Sequence, residues 1–502
     1  MMATGLRRAV RRFSPARAGL AFGGGALASL ALAPWSFWFG LPLALGAAGW
    51  LVLQAATARA AMLAGWLFGL GYFAFGLSWI LEPFQIDPER HAWMAPFALL
   101  FLAAGLALFW GAAFGLAARF SAGVWRIPML VAAWSLVEFG RAYLLTGFPW
   151  AAFGQFWIDT PAANLLPWIG PQGLALLTLA AFLPLALLRR APAAALAPLG
   201  LAAAAAFAVP APPQANPTGK TVRIVQPNAP QELKWHPDHR WEFVRRAVAF
   251  SAETPRPDLI VWPETAVPQL LNYADDTLQV ISENAGGVPV LLGIQREEAG
   301  AFYNSAVLLD MDGQPAAAYD KAHLVPFGEY VPFGDVMARF GIYGFASRAG
   351  AGYAAGPGPQ IMDLPIGRAL PLICYEAVFP QDVNAAETRP DMLVQVTNDA
   401  WFGTRSGPFQ HLVQARMRAI EQGLPMIRAA NTGVSAMIGA DGTLLNSLPL
   451  GDAGYIDAAL PAPLPPTLYS RIGDWPVFLL CLLAAAAVFF ALPRPCAAVI
   501  AA

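Results

Sequence analysis

The sequence predicts two kinds of structure in one chain: an α-helical membrane bundle and a layered α/β domain. Three observations carry this. The 502 residues are 57% hydrophobic and 13% charged, with mean hydropathy +0.49, too apolar and charge-poor for a wholly water-soluble protein. Charges are sparse before Thr218 and ordinary between Lys220 and Arg471. Within that charged stretch, strand-like runs alternate with helix-like segments. A net charge of −1 offers no long-range field for nucleic acid, so none is expected as a partner.

The start carries Arg7, Arg8, Arg11, Arg12 and Arg17, like the charged region of a signal peptide, but further apolar spans follow and no small-residue cleavage site stands out. Ala18–Ala58 has no charged residue and exceeds the roughly 20 residues that cross a bilayer, so it is divided at Pro34 and Trp35. This predicts spans at Ala18–Ala33, Phe37–Ala56, Ala60–Leu81, Trp93–Ala118, Ile127–Leu145, Leu165–Leu188 and Ala193–Val209. An eighth is predicted at Trp475–Leu492.

Positive charge sets the orientation. With the N-terminus cytoplasmic, inside segments hold the N-terminal arginines, Arg59, Arg119, Arg126, Arg189, Arg190 and Arg494. The outside loops hold only Arg90, with Arg141 near the outer end of the fifth span. The predicted domains are a membrane domain with linker at 1–217, an extracytoplasmic domain at 218–471, and a final span with tail at 472–502. Glu138 and Arg141 share a helix face at i, i+3 and can pair, structurally or functionally. The aromatic loop Thr146–Gln155 reads as an interfacial belt or as the mouth of a lipid pocket.

Pro210–Pro217 is a proline-rich linker. Beyond it, strands are predicted at Thr221–Val225, Leu259–Trp262, Val288–Leu292, Ser305–Leu309, Ala316–Tyr319, Leu370–Ile373, Met392–Val396 and Met426–Ala429. Helices are predicted at Trp241–Ala252 and Gln410–Gln422, and Met311–Gln314 and Ala440–Thr443 read as hairpin turns.

Three of these strands end in chemistry. Leu370–Ile373 delivers Cys374, Tyr375 and Glu376; Leu259–Trp262 delivers Pro263 and then Glu264; Ala316–Tyr319 delivers Lys321, with His323 and Glu329 beyond. The cysteines are Cys374, Cys481 and Cys496, and no spacing suits a zinc site or a disulfide framework; neither metal nor cofactor is expected. A lone thiol in an oxidising compartment favours a chemical role over packing. Base, cation and thiol suit acyl transfer. A carboxylate shielded from water can take the thiol proton, and an ammonium favours thiolate and binds the oxyanion, with a backbone N–H beside Tyr375 as second donor.

These residues, in WPET, YDKAHLVPFGEYVP and CYE, resemble the carbon–nitrogen hydrolase (nitrilase) superfamily. With the flanking spans, with QPNAPQELKW, TGFPW and VTNDAWFG, and with Gly407–His411, the chain looks like the superfamily's membrane-bound branch, the apolipoprotein N-acyltransferases of Gram-negative bacteria. The resemblance implies an αββα sandwich on eight transmembrane helices in the inner membrane, with the catalytic domain periplasmic. It implies acyl transfer from a phospholipid, usually phosphatidylethanolamine, to the α-amino group of an S-diacylglyceryl cysteine on an apolipoprotein. By motif position, Cys374 is the nucleophile, Glu264 the base and Lys321 the oxyanion-binding cation. Glu329, Tyr375 and Glu376 match supporting residues, and Trp150 and Trp235 match lipid-contacting aromatics. A catalytic face on outer-side loops meets both lipids without drawing a chain into water, which costs about 0.8 kcal/mol per CH₂.

Two other readings stay open at this point. A membrane-tethered amidase would use the same triad with water as acceptor. A transporter or receptor would need ionisable residues along several spans, where only the fifth has an obvious pair.

Overall fold

The computed structural model describes residues 14–332 and 352–491. The expectations placed on Arg7, Arg8, Arg11, Arg12, Leu492, Arg494 and Cys496 lie outside the described residues. The chain forms two compact units. One comprises residues up to Leu81, Trp93–Pro210 and the stretch from Ile472 onward; the other comprises Ala211–Arg471 with the short segment Glu82–Ala92.

The first unit is helical. Apolar helices occupy Pro15–Ser29, Leu41–Gln54, Ala58–Gly76, Ala95–Phe120, Arg126–Tyr143, Leu166–Phe182, Pro192–Ala208 and Trp475–Ala491, one at each predicted span. Among the described residues, three stretches are long and apolar enough to cross a membrane: Ala58–Gly76, Pro88–Phe120 and Pro161–Leu187. Large apolar side chains such as Phe101, Phe207, Leu483 and Phe490 face outward, where water would penalise them and lipid does not. Two expected spans differ in detail. The third stops at Gly76, and Ser78–Gln85, which contains Pro83, winds as a 3-10 helix. The sixth breaks at Gly170, whose φ of +63° and ψ of −173° a side chain would resist, just where Pro171 forbids continuous helix.

Small residues let these helices approach closely. A Cβ on Gly25 would fall 1.8 Å from the Phe68 carbonyl oxygen, and one on Gly71 would fall 2.1 Å from that of Phe22. The Glu138–Arg141 pair is wholly enclosed. Glu138 Oε1 accepts from Trp110 Nε1 at 2.8 Å and Arg141 Nε at 3.0 Å; Oε2 accepts from Arg141 Nη2 at 2.6 Å. Arg141 Nη1 donates onward to the carbonyls of Phe148 and, at 2.7 Å, Trp150. The pair braces the Thr146–Trp150 loop.

Among the described residues the second unit holds twelve strands: β1 Pro217–Gln226, β2 Leu259–Val261, β3 Val290–Glu298, β4 Ala301–Leu309, β5 Pro315–Asp320, β6 Met362–Leu364, β7 Gly367–Ile373, β8 Met392–Thr397, β9 Met426–Ala430, β10 Ser435–Ile438, β11 Leu444–Leu448 and β12 Gly454–Pro461. They form two six-stranded sheets, ordered β12-β1-β2-β3-β4-β5 and β11-β10-β9-β8-β7-β6. The predicted hairpin turns join β4 to β5 and β10 to β11, both antiparallel.

Side-chain alternation explains the layers. Val222, Ile224, Leu259 and Val261 of one sheet share a core with Ile373, Val394, Val396 and Ile427 of the other. The opposite faces are covered by helices: Val225, Ile260 and Leu292 pack with Val244 and Leu278, and Leu370, Leu393 and Met426 pack with Leu412 and Ala419. This is the expected αββα sandwich. β1, β2 and β3 run parallel, and β5 returns to that direction through two antiparallel pairings. The C-terminal ends of β2 and β5 therefore lie along one edge of their sheet.

Candidate active site

Glu264, Lys321 and Cys374 each follow the C-terminal end of a strand. Pro263 ends β2, and Glu264 is next, 6% exposed. The turn can fold tightly because β3 offers Gly293: a Cβ there would fall 2.5 Å from Glu264 Cα and from Thr265 N. Lys321 follows β5, its backbone N–H donating at 2.9 Å to the Asn304 carbonyl of β4. Cys374 follows β7 with φ +52°, a left-handed conformation that a residue with a Cβ adopts only under constraint.

The two carboxylates and the lysine form one cluster. Lys321 Nζ lies 2.9 Å from Glu329 Oε1 and 3.6 Å from Glu264 Oε1. Asn304 Nδ2 bridges them, 2.7 Å from Glu264 Oε1 and 3.1 Å from Glu329 Oε1. Glu264 Oε2 accepts the Asn398 backbone N–H at 2.9 Å, and Glu329 Oε2 accepts that of Val325 at 2.8 Å. Burial opposes the Lys321 ammonium, but Glu329, Glu264 and Cys374 outweigh it and hold the lysine charged well above its ordinary range. For the Cys374 thiol, burial is the largest influence and Glu264 adds to it; both push it up, against the pull of Lys321. The thiol therefore rests protonated at neutral pH.

Glu376 ties the cysteine turn to the lysine loop. Its Oε2 accepts the Ile373 N–H at 2.7 Å, while Oε1 accepts from Tyr319 Oη at 2.8 Å, Ala322 N at 2.8 Å and His323 N at 3.2 Å. Burial raises its carboxyl above the usual range despite these donors. Tyr375 is buried with its ring edge-on to Phe379, centroids 4.8 Å apart. Trp235 is half-buried beside Lys234, whose ammonium lies 5.6 Å from its ring centroid. Trp150, in the helical unit, is fully buried against Trp79 with centroids 4.5 Å apart.

Sequence reasoning assigned no role to several groups found here. Lys234 Nζ donates to the Glu264 carbonyl at 3.0 Å and to Thr265 Oγ1 at 2.9 Å, and burial lowers it to about 8 against Glu264 and Cys374. Asn304, Asn398, Gln395 and His411 also contact the reactive turns. Lys234, Asn398 and His411 fall inside motifs that carried the resemblance; Asn304 sits one residue before a predicted strand, where nothing marks it. Cys374 and Cys481 are both free thiols.

A two-sheet sandwich with glutamate, lysine and cysteine at its strand ends is the arrangement of a carbon–nitrogen hydrolase, and residues 221–464 match the family described as Carbon-nitrogen hydrolase. Residues 24–183 match the Apolipoprotein N-acyltransferase N-terminal domain. Over the whole chain, an apolipoprotein N-acyltransferase of Rhodopseudomonas palustris is 38% identical, covering 92% of this chain and 93% of its own. One of Bradyrhizobium diazoefficiens is 39% identical, covering 93% and 94%. Among solved structures, an amidase from Nesterenkonia sp. aligns with 53% of this chain and 98% of its own, at 18% identity and a TM-score of 0.37, a likeness too slight to bear on the chemistry. The chain belongs to the apolipoprotein N-acyltransferase family, and it is an enzyme, an acyltransferase of lipoprotein biosynthesis.

Proposed function

We propose that this chain moves a fatty acyl group from a phospholipid to the α-amino group of the S-diacylglyceryl cysteine of an apolipoprotein, through a thioester on Cys374. The supporting observation is the clustering of Glu264, Lys321 and Glu329 with an electrostatically coupled Cys374 in a chain whose other unit is apolar helix. Glu264 takes the thiol proton as sulfur bonds to the ester carbonyl carbon. Lys321 and the Tyr375 N–H hold the oxyanion. Its collapse breaks the carbon–oxygen bond to the lysophospholipid, which leaves with the proton from Glu264. The acceptor amine then attacks the thioester, sulfur leaves, and the amine proton returns through Glu264 to the thiol.

In this reading all eight helices span the inner membrane, both termini are cytoplasmic, and residues 218–471 are periplasmic, between a membrane domain at 1–217 and a last span at 472–502. Trp235 and Trp150 contact lipid chains, while Glu329, Tyr375 and Glu376 support the triad. The test is intact-protein mass spectrometry of the purified enzyme mixed with phosphatidylethanolamine alone. An acyl mass shift should appear, be stripped by neutral hydroxylamine, and discharge on adding a diacylglyceryl-cysteine peptide. Discharge by water at the same rate would indicate a hydrolase, not a transferase. A shift retained in Cys374→Ala, or transfer requiring both lipids bound together, would exclude the thioester route.

A further inference from the structure

Behind the cysteine turn lies a buried polar network that the chemistry above does not use. Cys374 O accepts from Gln395 Nε2 at 3.1 Å, and His411 Nε2 lies 3.0 Å from the same oxygen and 3.1 Å from Gln395 Nε2. His411 Nδ1 faces Asp399 Oδ1 at 2.8 Å, and Asp399 Oδ2 accepts from Arg428 Nη2 at 2.6 Å. Arg428 Nη1 donates to Gln395 Oε1, closing the ring. Gln395, Asp399, His411 and Arg428 are all fully buried. Asp399 is packed against Gly433, where a Cβ would fall 2.2 Å from its Oδ2.

Two physical facts give this ring a purpose. A buried ion pair with its histidine is seldom more stabilising than apolar packing of the same volume, so stability alone does not call for it. And a trans peptide is planar, with the C=O of one residue and the N–H of the next pointing in opposite directions. Whatever grips the Cys374 carbonyl therefore fixes the direction of the Tyr375 N–H. Asp399 Oδ1 takes the His411 Nδ1–H, which leaves Nε2 an acceptor. Arg428 therefore orients the oxygen end of the Gln395 amide while His411 Nε2 accepts from its nitrogen end, so the amide cannot flip and its other N–H is given to the Cys374 carbonyl. The grip also holds Cys374 at its strained positive φ.

We propose that Gln395, its amide oriented by His411 and Arg428 with Asp399 behind them, is a positioning residue that grips the Cys374 carbonyl and so aims the Tyr375 N–H at the oxyanion of the tetrahedral intermediate, and that His411 acts through it. This rests on Cys374 being the acylated nucleophile.

The test compares two reactions of the same thiol in the full-length enzyme: single-turnover acylation by phosphatidylethanolamine, which passes through an oxyanion, and alkylation by iodoacetamide, which does not. In Gln395→Leu and His411→Asn, acylation should fall roughly 10–100-fold while alkylation changes by less than about threefold, the signature of a lost oxyanion donor. His411→Gln, which returns an amide near the Nε2 position, should recover part of the acylation rate. Should Gln395→Leu fail to fold, the two His411 variants decide the matter. Acylation at the parent rate, or both reactions falling together, would overturn the proposal. Absence of acylation in the parent enzyme would instead defeat the thioester reading beneath it.

Discussion

The ammonium of Lys321 is held by Glu329: Nζ and Oε1 are 2.9 Å apart, against 3.6 Å to Glu264 Oε1. Glu329 thus fixes the cation while Glu264 stays available to a proton. Lys321→Met should lower acyl transfer by about 10²–10³, the cost of one oxyanion donor, and Lys321→Arg should also be poor because a planar fork does not fill an ammonium's place. Glu329→Gln should be impaired more mildly, since an amide oxygen still accepts from Nζ. Steady-state rates in detergent measure this, and near-normal turnover in Lys321→Met would remove it from the mechanism.

In the proposed mechanism the thiol is activated at the moment of attack, not before. Burial and Glu264 raise the Cys374 thiol and Lys321 only partly opposes them. A raised thiol yields more thiolate with every step in pH, so iodoacetamide alkylation should keep rising past about pH 8.5, where an ordinary thiol begins to level off. Lys321→Met removes the opposing charge and should slow alkylation at each pH. A plateau below neutrality would mean a preformed thiolate.

Gly293 sets the distance between β3 and the catalytic turn. In Gly293→Ala the new Cβ would meet backbone, not a yielding side chain, 2.5 Å from Glu264 Cα. The turn must shift, and a displacement near 1 Å can cost about 10² in rate. Acylation should fall with little change in iodoacetamide alkylation. Unchanged acylation would show that the turn relaxes without moving the carboxylate.

The enclosed Glu138–Arg141 pair should be costly to split. Arg141→Met strands the Glu138 carboxylate and should destabilise the helical unit by roughly 3–5 kcal/mol. The double variant Glu138→Gln with Arg141→Met should recover part of this but not the bonds to the Phe148 and Trp150 carbonyls. Thermal unfolding in detergent reads it, and a double variant no better than the single one would deny the coupling.

The proposed orientation puts Gly219 on the periplasmic side. A cysteine introduced there should react with a membrane-impermeant maleimide in intact spheroplasts; protection until lysis would reverse the topology.

The sequence alone determined most of the elements and placed the three candidate residues at strand ends. Among the described residues, apolar length marked the eight long apolar helices, and strand-like runs marked eight of the twelve strands, because each signal is local to a few residues. Glu264, Lys321 and Cys374 were legible because each stands where a strand stops. Strands β6, β10, β11 and β12 were not marked as strands, and Gly170 breaks a helix that hydropathy reads as continuous. Tertiary structure alone decided that Asn304 bridges two carboxylates, that Lys234 reaches the Glu264 turn, and that Gln395, oriented by His411, grips the Cys374 carbonyl. These contacts join residues far apart in the chain. Their side chains are ordinary in kind, and what sets them apart is burial beside one another, where an unpaired polar group is too costly to leave and each partner fixes the next.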